Sequence, residues 1–129
     1  MVIFSIGLLA SPQAFADHDE VTITNAPGSS TPGCEETDNC FIPSVATVHL
    51  GTVVTWENTD NAAHTATSGS AADGPDGVWD SSLMMVGGSY SVTLDTAGTY
   101  PYFCMVHPWM VGTVVVEEAG AADAAAAAD

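Results

Sequence analysis

The chain has 129 residues, with sixteen Asp or Glu, four His and no Lys or Arg, a formal net charge of −16. That length suits one domain. With no cation to displace the counterions of a phosphate backbone, nucleic-acid binding is excluded as a function class, and anionic lipid surfaces should repel the protein. The acids are scattered. They fit a basic protein partner with salt-sensitive docking, and equally a surface adapted to a saline medium.

Residues 1–16 read as a secretory signal. Val2-Ile3-Phe4 and Ile6 to Ala10 make a short apolar core, and Ala14-Phe15-Ala16 is an A-x-A cleavage site, although the usual positive start is missing. The run is too short to cross a bilayer as a helix. The expectation is an exported, monomeric protein of the periplasm or another extracytoplasmic space, with no transmembrane span in the mature chain. Residues 17–32 are polar, carry Pro-Gly and Ser-Ser, and read as a flexible N-terminal arm in which Val21–Thr24 offers one short strand. Export permits disulfides, and three Cys leave one over. Cys34 and Cys40 bracket the polar run Glu35–Asn39, which can bring them together as a disulfide. Such a bridge would pin the N-terminal segment to the first core strand. Metal binding by the pair is the alternative, with no His close by in sequence.

From Phe41 the period is two. Val45, Val48 and Leu50 lead to a turn at Gly51, and Val54 and Trp56 share a face of the next strand. His49 alternates outward and reads as a surface histidine. Asn58 to Asn61 is a turn, and Ala63–Thr67 is extended and carries His64. Residues 68–77 hold four Gly/Pro breakers and read as an exposed loop. Ser89–Leu94 alternates strictly, Asp95–Gly98 turns, Thr99–Cys104 is strand-like around Pro101, and Thr113–Glu117 is the last strand. Residues 119–129 form an Ala-rich C-terminal tail with no apolar stripe to bury. No segment carries a 3.6 period. The pattern predicts an all-β fold, a Greek-key β-sandwich of about seven to eight strands, over residues 33–118.

The chemistry gathers in Tyr102-Phe-Cys-Met-Val-His-Pro-Trp-Met110. A thiol, an imidazole and a thioether at Cys104, His107 and Met110 lie in a tight loop between apolar strands. With His64 they make two His and one Cys plus a weak axial Met, the donor set of a mononuclear blue-copper electron-transfer site. Zinc would accept Cys-His-His but asks for a firmer fourth donor than Met. Taken singly, His64 would be an ordinary histidine and Met110 core filling. Met84 and Met85 read as packing, and Met105 as partly exposed near the site. His18 would pair with the mature amine only as an adventitious copper binder.

Val54-Thr-Trp-Glu-Asn58, Asn61-Ala-Ala-His64-Thr, Asp95-Thr-Ala-Gly-Thr-Tyr100 and Cys104-x-x-His107-x-x-Met110 follow one another in this order. Together they resemble the cupredoxins, small blue-copper electron carriers, with the amicyanin and plastocyanin groups most alike. The resemblance covers about residues 41–117. It implies one type 1 copper ion held by His64, Cys104, His107 and Met110, and Thr65 tying its strand to the ligand loop. It further implies an electron-transfer surface of Met105, Pro108 and Trp109 around the His107 edge, and redox protein partners. Tyr100 resembles a tyrosine corner, whose hydroxyl bonds backbone upstream.

Three other readings compete with an electron carrier. A copper enzyme acting on nitric oxide or nitrite would need an open coordination position. Copper storage or delivery would need exchangeable Met/His sites. A metal-free immunoglobulin-like binding module would leave the clustered ligands without a purpose.

Overall fold

The computed structural model describes residues 20–118. The expected signal at 1–16, His18 and the Ala-rich tail at 119–129 lie outside the described residues. Within them the chain forms nine strands: β1 Glu20–Asn25, β2 Phe41–Ile42, β3 Val45–His49, β4 Val53–Asn58, β5 Thr67–Ser70, β6 Gly74–Asp80, β7 Ser89–Thr93, β8 Gly98–Phe103 and β9 Val111–Glu117. A single 3-10 turn spans Cys34–Glu36. One sheet has the order β3-β9-β8-β5-β6 and the other β2-β1-β4-β7. Among the described residues no helix is long and apolar enough to cross a membrane.

The period-two pattern explains the layers. Alternate residues of β4 and β9 are buried: Val54, Trp56 and Asn58 on one, Gly112, Val114 and Val116 on the other. Side chains from both sheets meet around Trp56, which lies with its ring centroid 5.1 Å from Tyr102 in an edge arrangement and 5.4 Å from Trp79. Phe41 meets the same Tyr102 edge-on at 4.8 Å. Such aromatic contacts add to the area term that drives the sheets together. Gly112 faces Tyr102 across the β8–β9 ladder. A Cβ there would lie 2.4 Å from the Tyr102 ring, so the close approach requires glycine. The Tyr100 hydroxyl donates to the Thr96 carbonyl, closing the tyrosine corner.

Two segments differ from the sequence reading. Residues 68–77 are mostly exposed, as expected, but they are a hairpin and not a loop: β5 and β6 pair there. The breakers serve the hairpin instead of ending it. Gly69 has φ 122°, and a Cβ on it would lie 2.3 Å from the Gly74 carbonyl oxygen. The buried Ser68 hydroxyl donates to Asp76 and accepts from the Trp79 N–H at 2.9 Å, which fastens the two strands. Trp79 is thereby buried against Trp56. The second segment is the arm expected at 17–32. The short strand offered at Val21–Thr24 is present as β1, in parallel register with β4 from Glu20↔Val53 to Asn25↔Asn58, and the difference lies in the residues after it. Pro27 and Gly28 break a strand but make an ordered turn, so composition alone mistook the segment for a loose one. Met84 is core, whereas Met85 is 62% exposed and does not pack as expected.

Candidate metal centre

Two loops at one end of the sandwich bring the predicted ligands together. The first leaves β4 at Asn58. Its buried side chain folds the turn, donating from Nδ2 to the carbonyls of Ala62 (2.8 Å) and Met84 (2.9 Å) and accepting the Asp60 N–H at 3.0 Å. The chain then reaches His64, which pairs with Met84 through two backbone hydrogen bonds of 3.2 and 2.7 Å. The second loop joins β8 to β9. The Cys104 N–H donates to the Met110 carbonyl at 3.1 Å, and the Met110 N–H to the His107 carbonyl at 2.9 Å. The loop therefore closes tightly on the β8–β9 ladder. Thr65 links the two: its Oγ1 accepts the Met105 N–H at 2.9 Å, and its own N–H points at Cys104 Sγ, 3.3 Å away.

His64, Cys104 and His107 form a compact donor cluster. His64 Nδ1 lies 3.7 Å from Cys104 Sγ, His107 Nδ1 lies 3.8 Å from the same sulfur, and the two Nδ1 atoms are 3.1 Å apart. A point equidistant from the three atoms lies about 2.1 Å from each, the length of a metal–imidazole bond. Cys104 and His64 are wholly buried, and His107 is half-buried. Met110 is wholly buried on the same loop. Met105, Val106 and Pro108 are exposed, while Trp109 is half-buried beside the His107 ring, centroids 5.3 Å apart.

Electrostatics prepare the cluster for a cation. Burial pushes the Cys104 thiol up, but the His64 ring and the N–H groups of Thr65, His107 and Val106 outweigh it and hold the thiol below its ordinary value. Burial pushes His64 down, yet the sulfur and Asp60 outweigh it and raise it. For His107, burial and the neighbouring His64 both favour the neutral ring, so its pKa is lowered. A thiolate ready to form and one imidazole kept neutral suit a soft metal.

The sequence reading missed Asp60. It is buried, and its Oδ2 lies 2.7 Å from His64 Nε2. A carboxylate can only accept there, so Nε2 carries the proton and the Nδ1 lone pair is left facing the cluster. Burial alone would raise the Asp60 pKa, but N–H donors from Gly28 and Asn61 and the His64 ring prevail and lower it. The only sequence signal was an acid four residues before a candidate ligand. In a run of Asn, Thr and Asp, that reads first as turn chemistry.

The profile of the copper binding proteins of the plastocyanin/azurin family matches residues 29–117. The chain belongs to this family. Its match begins slightly before the domain start expected at residue 33 and takes in the whole cluster. The chain is 31% identical over 77 residues to amicyanin of Paracoccus versutus, covering 60% of this chain and 58% of that protein. It is 37% identical over 86 residues to plastocyanin of Scenedesmus fuscus, covering 60% and 86%. Thus the match spans little over half the length of that amicyanin. Among solved structures, a purple cupredoxin from Nitrosopumilus maritimus superposes with a TM-score of 0.68 at 26% identity, over 75% of this chain and 99% of that one. The two-sheet sandwich is accordingly a cupredoxin fold.

The residues present fit the family's metal. One thiolate and two imidazole nitrogens converge at bonding distance of a common point, and the buried thioether follows on the same loop. That soft, three-donor set matches copper better than zinc, for which Met110 is a poor fourth ligand.

Proposed function

We propose that the protein carries single electrons between redox proteins. It would bind one copper ion through His64 Nδ1, Cys104 Sγ and His107 Nδ1, with the Met110 thioether as a weak further donor. The observation that carries this reading is the triangle of three donor atoms with edges of 3.1 to 3.8 Å. Copper bound there supplies a one-electron couple. The protein's part is to hold the donors still. His64 is fixed by Asp60 and by its bridge to Met84, and Cys104 by the Thr65 and His107 N–H groups. Donors already in place need little rearrangement when the charge changes.

His107 offers the way out. Its ring is half-buried within the exposed apolar residues Met105, Val106 and Pro108. Such a patch excludes water during brief contact, and small weak interfaces are usual for redox partners. Around it the chain has no Lys or Arg, so a basic partner with salt-sensitive docking is the best complement. The Cys34–Cys40 disulfide supports work in an oxidising, extracytoplasmic compartment.

Copper titration followed by visible and electron-spin spectra tests the assignment. One equivalent should bring an intense sulfur-to-copper band. Uptake of copper without that band would refute the Cys104 assignment.

A further inference from the structure

The segment between β1 and β2 touches both ligand loops. It leaves β1 through the turn Ala26-Pro27-Gly28-Ser29, closed by the Ser29 N–H on the Ala26 carbonyl at 3.0 Å, with Pro at the second position and Gly28 at φ 87° in the third. From this turn two backbone groups reach across the fold. The Gly28 N–H donates to Asp60 Oδ1 at 2.9 Å, and the other oxygen of that carboxylate takes His64 Nε2. The next carbonyl, that of Ser29, accepts the Trp109 indole N–H at 2.9 Å. Trp109 stands between His107 and Met110 in the chain.

The far end of the segment is tied back to the turn. The Ala26 N–H donates to the Cys40 carbonyl at 2.9 Å, and Cys34 is bonded to Cys40. The two sulfurs sit against the same two residues: Cys34 Sγ lies 4.0 Å from the Ser29 carbonyl oxygen and Cys40 Sγ 3.9 Å from the Trp109 carbonyl oxygen. Neither sulfur has a proton to donate, so these are packing contacts. They press the disulfide onto the turn on one side and onto the ligand loop on the other.

We propose that residues 26–40, tied end to end by the Ala26–Cys40 hydrogen bond and braced by the Cys34–Cys40 bridge, form a strap that positions the metal ligands. It fixes the Asp60 carboxylate against His64 and anchors Trp109 beside His107. The metal-linked part of this inference rests on the copper reading above. A carboxylate fixes the tautomer and direction of a ligating imidazole only as well as it is itself held, and such outer partners typically change metal affinity about 10- to 100-fold. The Asn58 turn also holds Asp60, whose N–H donates to Asn58 Oδ1 at 3.0 Å. Opening the strap should therefore cost less than removing the carboxylate.

The test uses the full chain and three variants: Cys34→Ala/Cys40→Ala, Asp60→Ala, and all three changes together. Copper(I) affinity is measured by chelator competition and the copper reduction potential by titration. On metal-free protein, proton NMR follows solvent exchange of the His64 Nε2–H. Asp60→Ala should lower affinity about 10- to 100-fold. The opened strap should lower it roughly three- to tenfold, shift the potential and speed Nε2–H exchange. In the Asp60→Ala background, opening the strap should add less than half of its effect in the native background, because the route through the carboxylate is already gone. Additive effects, or an opened strap with native affinity, potential and Nε2–H exchange, would overturn the proposal. Should the cysteine variant not fold, Gly28→Ala serves. Its Cβ meets nothing within 4 Å, but the left-handed φ disfavours it. It should move the same readouts in the same direction, and native values would overturn the proposal equally. If the native chain takes up no copper, the copper reading fails alone, since Nε2–H exchange in metal-free protein still decides the strap.

Discussion

The two loops that bring imidazoles to the cluster are built in opposite ways. The His64 loop is sunk in the fold: its ring is 0% exposed, a carboxylate holds one nitrogen, and its backbone pairs with Met84. The His107 loop stands at the surface, with its ring half-buried among Met105, Val106 and Pro108. Both nitrogens come within 3.1 Å of each other, yet one side chain is a fixed reference and the other an opening. The contrast teaches that a donor cluster can keep most of its members dry and rigid while leaving one edge at the surface.

The largest effect should come from the sulfur that both imidazoles approach. Cys104→Ser should abolish the intense visible band, and a persisting blue or purple colour would break the picture of a common thiolate. The next test separates the loops. His107→Gly should recover colour when free imidazole is added, because the vacated place opens to solvent. His64→Gly should not, because His64 itself is 0% exposed. Equal rescue of both by visible titration would erase the distinction.

The frame beneath the exposed loop can be stressed alone. Gly112→Ala would set a Cβ 2.4 Å from the Tyr102 ring. It should destabilise the fold by about 1–3 kcal/mol, seen as a lower Cm in denaturant. A native Cm would mean that Tyr102 can move aside at little cost.

Acid should also tell the loops apart. The lowered His107 pKa keeps the ring neutral until the pH falls below the ordinary histidine value of 6.5, where protons begin to compete with metal. The raised His64 ring and the Cys104 thiol take up protons at higher pH, so copper affinity should already decline as the pH approaches 6.5, and His107 should steepen the fall only below it. Asp60 works at lower pH. A depressed carboxylate stabilises the metal-free fold above its unfolded value of 3.8, and that contribution is lost as the pH falls through the lower folded value. Asp60→Asn should flatten this acid slope, measured by denaturant melts at stepped pH.

The smallest effect concerns docking. Val106 is 47% exposed, and it is the backbone N–H, not the side chain, that bears on Cys104. Val106→Ser should slow electron exchange a few-fold, in line with the loss of roughly 1 kcal/mol of apolar contact, and leave the spectrum alone. Trp109 would be a poorer probe, since its indole N–H holds the Ser29 carbonyl.

Much of this was legible in the sequence. The thiol, imidazole and thioether of Cys104, His107 and Met110 lie three apart within one loop, and side-chain chemistry at short spacing survives without a fold. The alternation in β4, β7 and β9 states which faces are buried, because a strand repeats every two residues. What the chain order could not say depends on contacts made at long range. The Gly28–Asp60 bond joins residues 32 apart, and the Ser29–Trp109 bond residues 80 apart. Neither leaves a period or a motif. Gly69, Gly74, Pro75 and Gly77 carry the same letters in a loop as in a hairpin, and only the partner strand distinguishes them. The sequence by itself determined the donors and the strand rhythm. The tertiary structure alone decided which carboxylate aims His64 and which loop opens outward, because only packing brings distant backbone groups within hydrogen-bonding reach.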